Sequence, residues 1–371
     1  MGGKLLKSWE LPEYRMNAEE FNQYSTELIK IFNEDLLTDK YKFDNYRNII
    51  HTNYIQIPAQ IRSKSSFGDI DILIGIDDFK GPIWYLAGNK LTTTDYILEK
   101  FGVRPHVNDS VYSFPYKGVQ VDMCFYPRED FHSALNYMAH SDASNLLGRV
   151  FHKMGLHFGH TGLSFWIRQG MFDNNVTWSD NDHIYEKVIL TKNMEDICKI
   201  GGFDYSKWEA GFDTNEEVYR FVTESEYFKK ELFAFENLNH TNRVRNKKRP
   251  MYAEFVEWLE TTNPDESGKK EFLDKSTYAL IYQKKFPHLQ KAISKYYFEY
   301  NVTKCLKSKL NGRIVMDILG TEDGRTVGQI MSAIKKEYTT MELIGKTESE
   351  IRVIIGDAAA YLAHQNHLML Q

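Results

Sequence analysis

The chain has 371 residues, 42% apolar and 26% charged, with 46 basic against 51 acidic side chains for a net charge of −5. That length and composition fit a globular protein of two or three domains with several buried cores, and exclude an intrinsically disordered chain or a small disulfide scaffold. Three scattered cysteines, Cys124, Cys198 and Cys305, fit a reducing, cytoplasmic setting and no zinc ribbon, and no apolar run approaches the roughly 20 residues that span a membrane.

Residues 1–16 read as an irregular arm, too short and too polar for a signal peptide. Asn17 followed by Glu20 signals a capping box, and Phe21, Tyr24, Leu28, Ile31 and Phe32 recur at helical spacing, which predicts a helix over 17–37. Between 50 and 130 the period changes to two. The runs DIDILIGI (69–76) and GVQVDMCF (118–125) predict strands, and 92–101 predicts a helix ended by Gly102. Helices then dominate, expected at 129–140, 143–154, 215–236, 251–260, 276–308, 325–337 and 347–366, with a loop at 263–268. The expected division is an arm over 1–50, an α/β domain over 51–205 and a helical domain over 206–371.

In DIDILIGI, Ile70, Ile72, Ile74 and Ile76 form a core stripe, while Asp69 and Asp71 share the opposite face. Neighbouring anions on a strand repel, so folding alone gives no reason for the pair. In VQVDMCF, Val119, Val121, Met123 and Phe125 face one way, and Gln120, Asp122 and Cys124 the other. If the two strands are sheet neighbours, Asp122 joins Asp69 and Asp71, and three convergent carboxylates need a compensating charge. Magnesium suits them, because it takes hard oxygen ligands from a few carboxylates and keeps positions for substrate phosphates. Such a centre serves in-line phosphoryl or nucleotidyl transfer. A solvated strand face is the alternative. The preceding loop weighs against it: Arg62, Ser63, Lys64, Ser65, Ser66 and Gly68 offer charge-assisted donors to phosphate oxygens.

Arg62-x-Lys64-x-x-x-Gly68-Asp69-Ile70-Asp71, followed by Ile72-Leu73-Ile74, resembles the nucleotidyltransferase signature of the DNA polymerase beta superfamily, family X in particular. Gly118 to Asp122 resembles the strand that bears the family's third metal-binding aspartate, and 127–163 resembles its helix–turn–helix. Tyr137-Met138-Ala139-His140-Ser141 stands at the segment beside the incoming nucleotide, and 197–205 resembles a stretch near the end of the catalytic core. Over about residues 55–205 the resemblance implies an α+β fold: a mixed-sheet palm domain, with an N-terminal helical arm and a C-terminal all-helical domain. It implies that Asp69, Asp71 and Asp122 are catalytic and hold two magnesium ions, with manganese as a substitute. Arg62, with Ser63, Lys64, Ser66 and Gly68, would meet the triphosphate. Tyr137 and Ser141 would lie beside sugar and base, and Asn145 and Arg149 would contact the nascent base pair. Two departures matter. Pro58-Ala59 stands where the family usually has Gly-Ser, removing an N–H and a hydroxyl, and Ala139-His140 replaces Thr-Gly. About 50 residues precede the core, too few for the family's lyase and hairpin modules.

The second half concentrates cations. Arg243, Arg245, Lys247, Lys248 and Arg249 put five into seven residues, and 284–313 holds eight, Lys304, Lys307 and Lys309 among them, against one acid, Glu299. They suggest a nucleic-acid-binding surface, with a solvated helix face as the alternative. Tyr296, Tyr297, Phe298 and Tyr300, interleaved there, read mainly as core. Gly320, Gly324 and Gly328, with Ile330 and Met331, resemble a turn and helix near the end of CCA-adding enzymes and poly(A) polymerases. His152, His157 and His160 lack the spacing of one helix face and read as surface or turn residues rather than zinc ligands. The expected function is transfer of a nucleoside monophosphate from a triphosphate to a nucleic-acid 3′-hydroxyl, leaning toward an RNA end of tRNA type. Family X-like DNA synthesis or end extension is one alternative, and a catalytically degenerate nucleic-acid-binding protein is another.

Overall fold

The computed structural model describes residues 4–37, 54–76, 84–86, 89–168 and 184–368. It opens on a 3-10 turn, Lys4–Trp9, where an irregular arm was expected. Leu6 of this turn is fully buried, and the Trp9 indole donates to the Arg104 carbonyl at 3.1 Å. Helix α1 spans Ala18–Leu37. Asn17 Oδ1 accepts from the Glu20 N–H, and Glu20 Oε2 accepts from the Asn17 N–H, both at 2.9 Å, which is the reciprocal capping box read from the sequence.

The next elements are β1 (Ile55–Gln56), β2 (Asp69–Ile76), β3 (Trp84–Leu86), β4 (Asn89–Leu91), α2 (Thr93–Phe101), β5 (His106–Asn108), β6 (Val111–Tyr116) and β7 (Val119–Pro127). Thr92 and Asp95 cap α2 reciprocally, and Gly102 ends it in the left-handed region at φ +71°. Five strands form a mixed sheet ordered β1-β2-β7-β6-β5, in which β2 and β7 run parallel and the other pairs are antiparallel. The fold is therefore mixed α+β.

One face of β2 and β7 is wholly apolar. Ile70, Ile72, Ile74, Val121 and Met123 pack with Phe32 of α1 and Tyr96 of α2. The opposite face is divided. Its far half, Leu73 and Cys124, is covered by Phe131 and Ala134 of helix α3 (Arg128–Met138). Its near half carries Asp69, Asp71 and Asp122. The close approach of α3 depends on Gly75, where a Cβ would stand 2.8 Å from Tyr54 Cδ1 and 3.1 Å from Phe131 Cδ2. Gly75→Val is expected to destabilise the protein by about 2–3 kcal/mol through overpacking, read as a lower urea midpoint at unchanged slope.

Beyond α3 come α4 (Ala143–Lys153), β8 (Leu156–Gly159), β9 (Gly162–Arg168) and β10 (Ile184–Thr191), the strands forming a sheet ordered β10-β9-β8. Then follow α5 (Met194–Gly201), α6 (Tyr205–Ala210) and α7 (Asn215–Glu224). The helix expected over 215–236 stops at Ser225, which turns to φ −48°, ψ 139° and donates its buried hydroxyl to the Gly201 carbonyl at 2.8 Å. Two 3-10 turns take its place, Lys230–Leu232 and Phe235–Asn237. Next are α8 (His240–Lys247), α9 (Pro250–Thr262), α10 (Lys275–Lys285) and α11 (Pro287–Lys309). The single helix expected over 276–308 is thus two. Pro287 lacks an N–H and holds Phe286 at φ −122°, ψ 96°.

The last helices are α12 (Gly312–Leu319), which the sequence reading passed over, α13 (Gly324–Glu337), α14 (Thr340–Gly345) and α15 (Glu348–Leu368). Val315, Ile330, Ile334, Leu343 and Ile355 form their core. Gly320 caps α12 at φ +63°. The chain divides into two compact units, 1–166 with 187–285, and 167–186 with 286–371; the boundary expected at 205–206 falls inside the first. No helix among the described residues is long and apolar enough to cross a membrane. All three cysteines are free.

Candidate metal and nucleotide site

The parallel register of β2 and β7 sets Asp71 opposite Asp122 and Asp69 opposite Gln120. Because alternate residues share a face, one register decides the fate of all three carboxylates. Their ligand oxygens lie within 4.8 Å of one another, the one such cluster of potential metal ligands among the described residues. Burial raises the pKa of Asp69, with Asp122 adding repulsion. Burial, then Asp69 and Asp122, push Asp71 up to about 8. Burial also raises Asp122, against hydrogen bonds from Ser113 and Gln120 that lower it. Without a cation this face repels itself. Its donors are all hard carboxylate oxygens, so it could hold a hard divalent cation.

Asp122 is held from behind. The Gln120 amide donates to both its oxygens at 3.0 Å, and Gln120 Oε1 accepts the Leu5 N–H at 3.1 Å. The amino-terminal turn therefore fixes the amide that orients the third carboxylate. Gln120→Leu should weaken Mn²⁺ binding about tenfold, as loss of such a supporting partner does elsewhere, measured by paramagnetic resonance of free Mn²⁺. Unchanged affinity would remove this role.

Asp69 and Asp71 open into a cleft of about 440 Å³. Gln60 and Lys64 line it, with Tyr137 of α3, Ser141 of the α3–α4 turn, and Ser144 and Asn145 at the start of α4. Lys64 Nζ donates to Gln60 Oε1 at 2.9 Å. Burial lowers the Lys64 pKa, opposed by the charges of Asp69 and Asp71. The Tyr137 ring lies 4.5 Å from that of His160, whose Nδ1 is 3.0 Å from the Tyr126 hydroxyl. His160, expected as a plain turn residue, thus forms part of the cleft wall. His157 stacks on Trp166 at 3.6 Å, and His152 meets His157 edge-on at 5.9 Å.

At the α3–α4 turn, His140 and Ser141 both adopt left-handed backbone, φ +56° and +61°. Such strain costs about 1–3 kcal/mol per residue and persists only when packing over-determines it. Here His140 is buried between Trp208 and Phe212, ring centroids 5.0 and 4.9 Å away, and its N–H donates to the Ala59 carbonyl at 2.7 Å. Burial drives its imidazole down to about 4. The Pro58-Ala59 segment is therefore tied to this turn by its backbone.

Other expected site residues have other partners. The Arg62 guanidinium pairs with Asp213 and donates to the Ala210 carbonyl at 3.0 Å, outside the cleft lining. The Ser63 N–H donates to the Asp213 carbonyl at 2.8 Å, and Ser66 Oγ accepts Arg15 Nε at 2.7 Å. Gly68 is buried at the head of β2. Asn145 donates to Asn246 Oδ1 at 3.1 Å, and Arg149 Nε to the Leu232 carbonyl at 3.1 Å. The run of five cations expected as a nucleic-acid surface is split. Arg245 and Arg249 line the cleft, with Arg249 paired to Asp142. Arg243 donates to the Leu238 carbonyl at 3.2 Å, Lys247 lies over Phe235, and Lys248 is exposed.

In the second unit, Lys309 donates to the Lys346 carbonyl at 2.7 Å and also to that of Ile344, while Lys304 lies over the Tyr300 ring and Lys307 is exposed. The aromatic run there is less buried than expected: Tyr296 is core, but Tyr297 and Phe298 are 41% and 61% exposed. The sequence reading missed Gln60, His160 and the cleft position of the two arginines. For Gln60 a signal existed, a polar residue beside Pro58-Ala59 in an otherwise apolar run. Compared with known proteins, the chain matches no protein-family model and no curated sequence.

Proposed function

We propose that the protein is a magnesium-dependent nucleotidyltransferase of the polymerase beta type, moving a nucleoside monophosphate from a nucleoside triphosphate to the 3′-hydroxyl of a nucleic acid, in first place an RNA end of tRNA type. The supporting observation is the meeting of Asp69, Asp71 and Asp122 within 4.8 Å, with Asp69 and Asp71 lining a cleft that Lys64 and Tyr137 also line. The three carboxylates would hold two magnesium ions, which when bound supply charge neutralisation and a more acidic attacking hydroxyl. Lys64 and Gln60 offer donors to phosphate oxygens. Tyr137, backed by His160, offers an apolar wall to sugar and base. The new O–P bond forms at the α-phosphorus as the bridge to the β-phosphate breaks. The electron pair leaves on pyrophosphate, and the hydroxyl proton passes to water.

The test supplies labelled nucleoside triphosphates with tRNA lacking its terminal adenosine, and in parallel with a primed DNA gap. Incorporation into tRNA by the wild type, lost in Asp71→Asn, is expected. Incorporation only into DNA would keep the chemistry and change the acceptor. Incorporation into neither, or equal incorporation by Asp71→Asn, would reject the reading.

A further inference from the structure

The cleft sets cations from two distant parts of the chain beside its carboxylates. Four carboxylates, Asp69, Asp71, Asp122 and Asp142, meet three cations, Lys64, Arg245 and Arg249. Two divalent cations on the trio would leave a net charge of about +3, close to balance with a triphosphate of about −4. Without the arginines that match is lost. Arg249 is anchored by Asp142. Arg245 is exposed on the cleft wall and has no side-chain partner among the described residues. Beside them, Ser144 in the first turn of α4 is 5% exposed and its hydroxyl lacks a hydrogen-bond partner.

The phosphates also need new donors. Pro58 has no N–H, its carbonyl accepts from the Gln60 amide at 2.9 Å, and the Ala59 carbonyl accepts from His140. That segment offers no hydroxyl to a phosphate. A guanidinium presents a planar fork of donors that matches phosphate oxygens. Both arginines line the same cleft as the carboxylates, and their proximity suits a short polyphosphate that also contacts the trio.

Resting on the nucleotidyl-transfer reading, we infer that Arg245, with Arg249, is the seat for the terminal phosphates of the triphosphate and for pyrophosphate as it leaves. These residues lie outside the segment that resembles the polymerase core, so the chain's own later helices complete the nucleotide site. The seat holds the β- and γ-phosphates while the α–β bridge breaks, and receives the electron pair's negative charge on the departing pyrophosphate.

The test measures Mn²⁺ binding alone, then inorganic tripolyphosphate binding with Mn²⁺ present, in the full chain. Wild type, Arg245→Gln and the charge-matched surface control Lys199→Gln are compared. Arg245→Gln should weaken tripolyphosphate about tenfold and leave Mn²⁺ affinity unchanged, with Lys199→Gln behaving as wild type. Unchanged tripolyphosphate affinity in Arg245→Gln, with normal Mn²⁺ binding, overturns the seat and leaves the proposed function standing. The same holds if only affinity for a single-stranded oligonucleotide falls, which would give Arg245 to the acceptor. Failure of the wild type to bind Mn²⁺ overturns the underlying reading and the seat with it.

Discussion

Replacing Asp71 with asparagine is expected to abolish transfer and, in the metal-free protein, to raise stability. Asp71 stands opposite Asp122 in the sheet and two residues from Asp69, so it feels both repulsions as well as burial. Asparagine keeps the shape and removes the charge. On the proposed reading activity should fall about 10³-fold or more, because a ligand to the reacting centre would be lost. Stability without divalent ions near neutral pH should rise by about 1–2 kcal/mol, since burying Asp71 forces it to take up a proton that the unfolded chain has lost, and asparagine does not. Thermal melts in chelator read the second effect. A lower Tm for Asp71→Asn under those conditions would mean that the trio is not self-repelling. Opposite signs for activity and stability are the mark of a strained functional site.

Metal-free stability should decline as pH rises from about 6.5 to about 8. A carboxylate whose pKa is raised by folding keeps its proton in the folded state after the unfolded chain has lost it. Asp71 moves from 3.8 to about 8, and Asp69 and Asp122 move the same way. Their contribution is complete below the unfolded pKa and is lost as pH climbs through the folded one. His140 opposes them at lower pH. Its pKa falls from 6.5 to about 4, so its contribution is present above 6.5 and lost on acidification. As pH climbs past 6.5 the unfolded His140 also becomes neutral, its contribution levels off, and the carboxylates dominate the slope. Tm measured across that window should fall by several degrees in chelator, and magnesium should reverse the trend at its upper end, since cation binding displaces the protons. Asp71→Asn should flatten the slope. A Tm that rises with pH without metal would contradict the electrostatics of the trio.

The acidic centre was legible because it needed little information. Alternation on two short strands placed each carboxylate on a known face, and only their adjacency and register remained to be met. The cap of α1 and the glycine stop of α2 were legible for the same reason, since each is written within a few residues. The other walls of the cleft are products of tertiary return. Arg245 and Arg249 reach it from the α8–α9 region, far along the chain from Asp69, and no local pattern separates them from Lys247 and Lys248 beside them. His160 becomes part of the site because a strand turn carries it to Tyr126 and Tyr137. The Arg62 side chain was legible as a donor, but its acceptors, Asp213 and Ala210, lie some 150 residues on. The break at Pro287 was readable from proline's chemistry, and the helical period on either side concealed it. The stop at Ser225 was not, because it depends on a carbonyl in α5.

The Leu5 N–H joins Gln120 across 115 residues. This bond closes only once β7 has formed, so the Lys4–Trp9 turn depends for its seat on a strand of the central sheet. Orientation of Asp122 and closure of that long loop are thereby linked through Gln120. A weight or tether fused ahead of residue 4 that tugs on the turn would be felt at Asp122, although it touches nothing in the cleft.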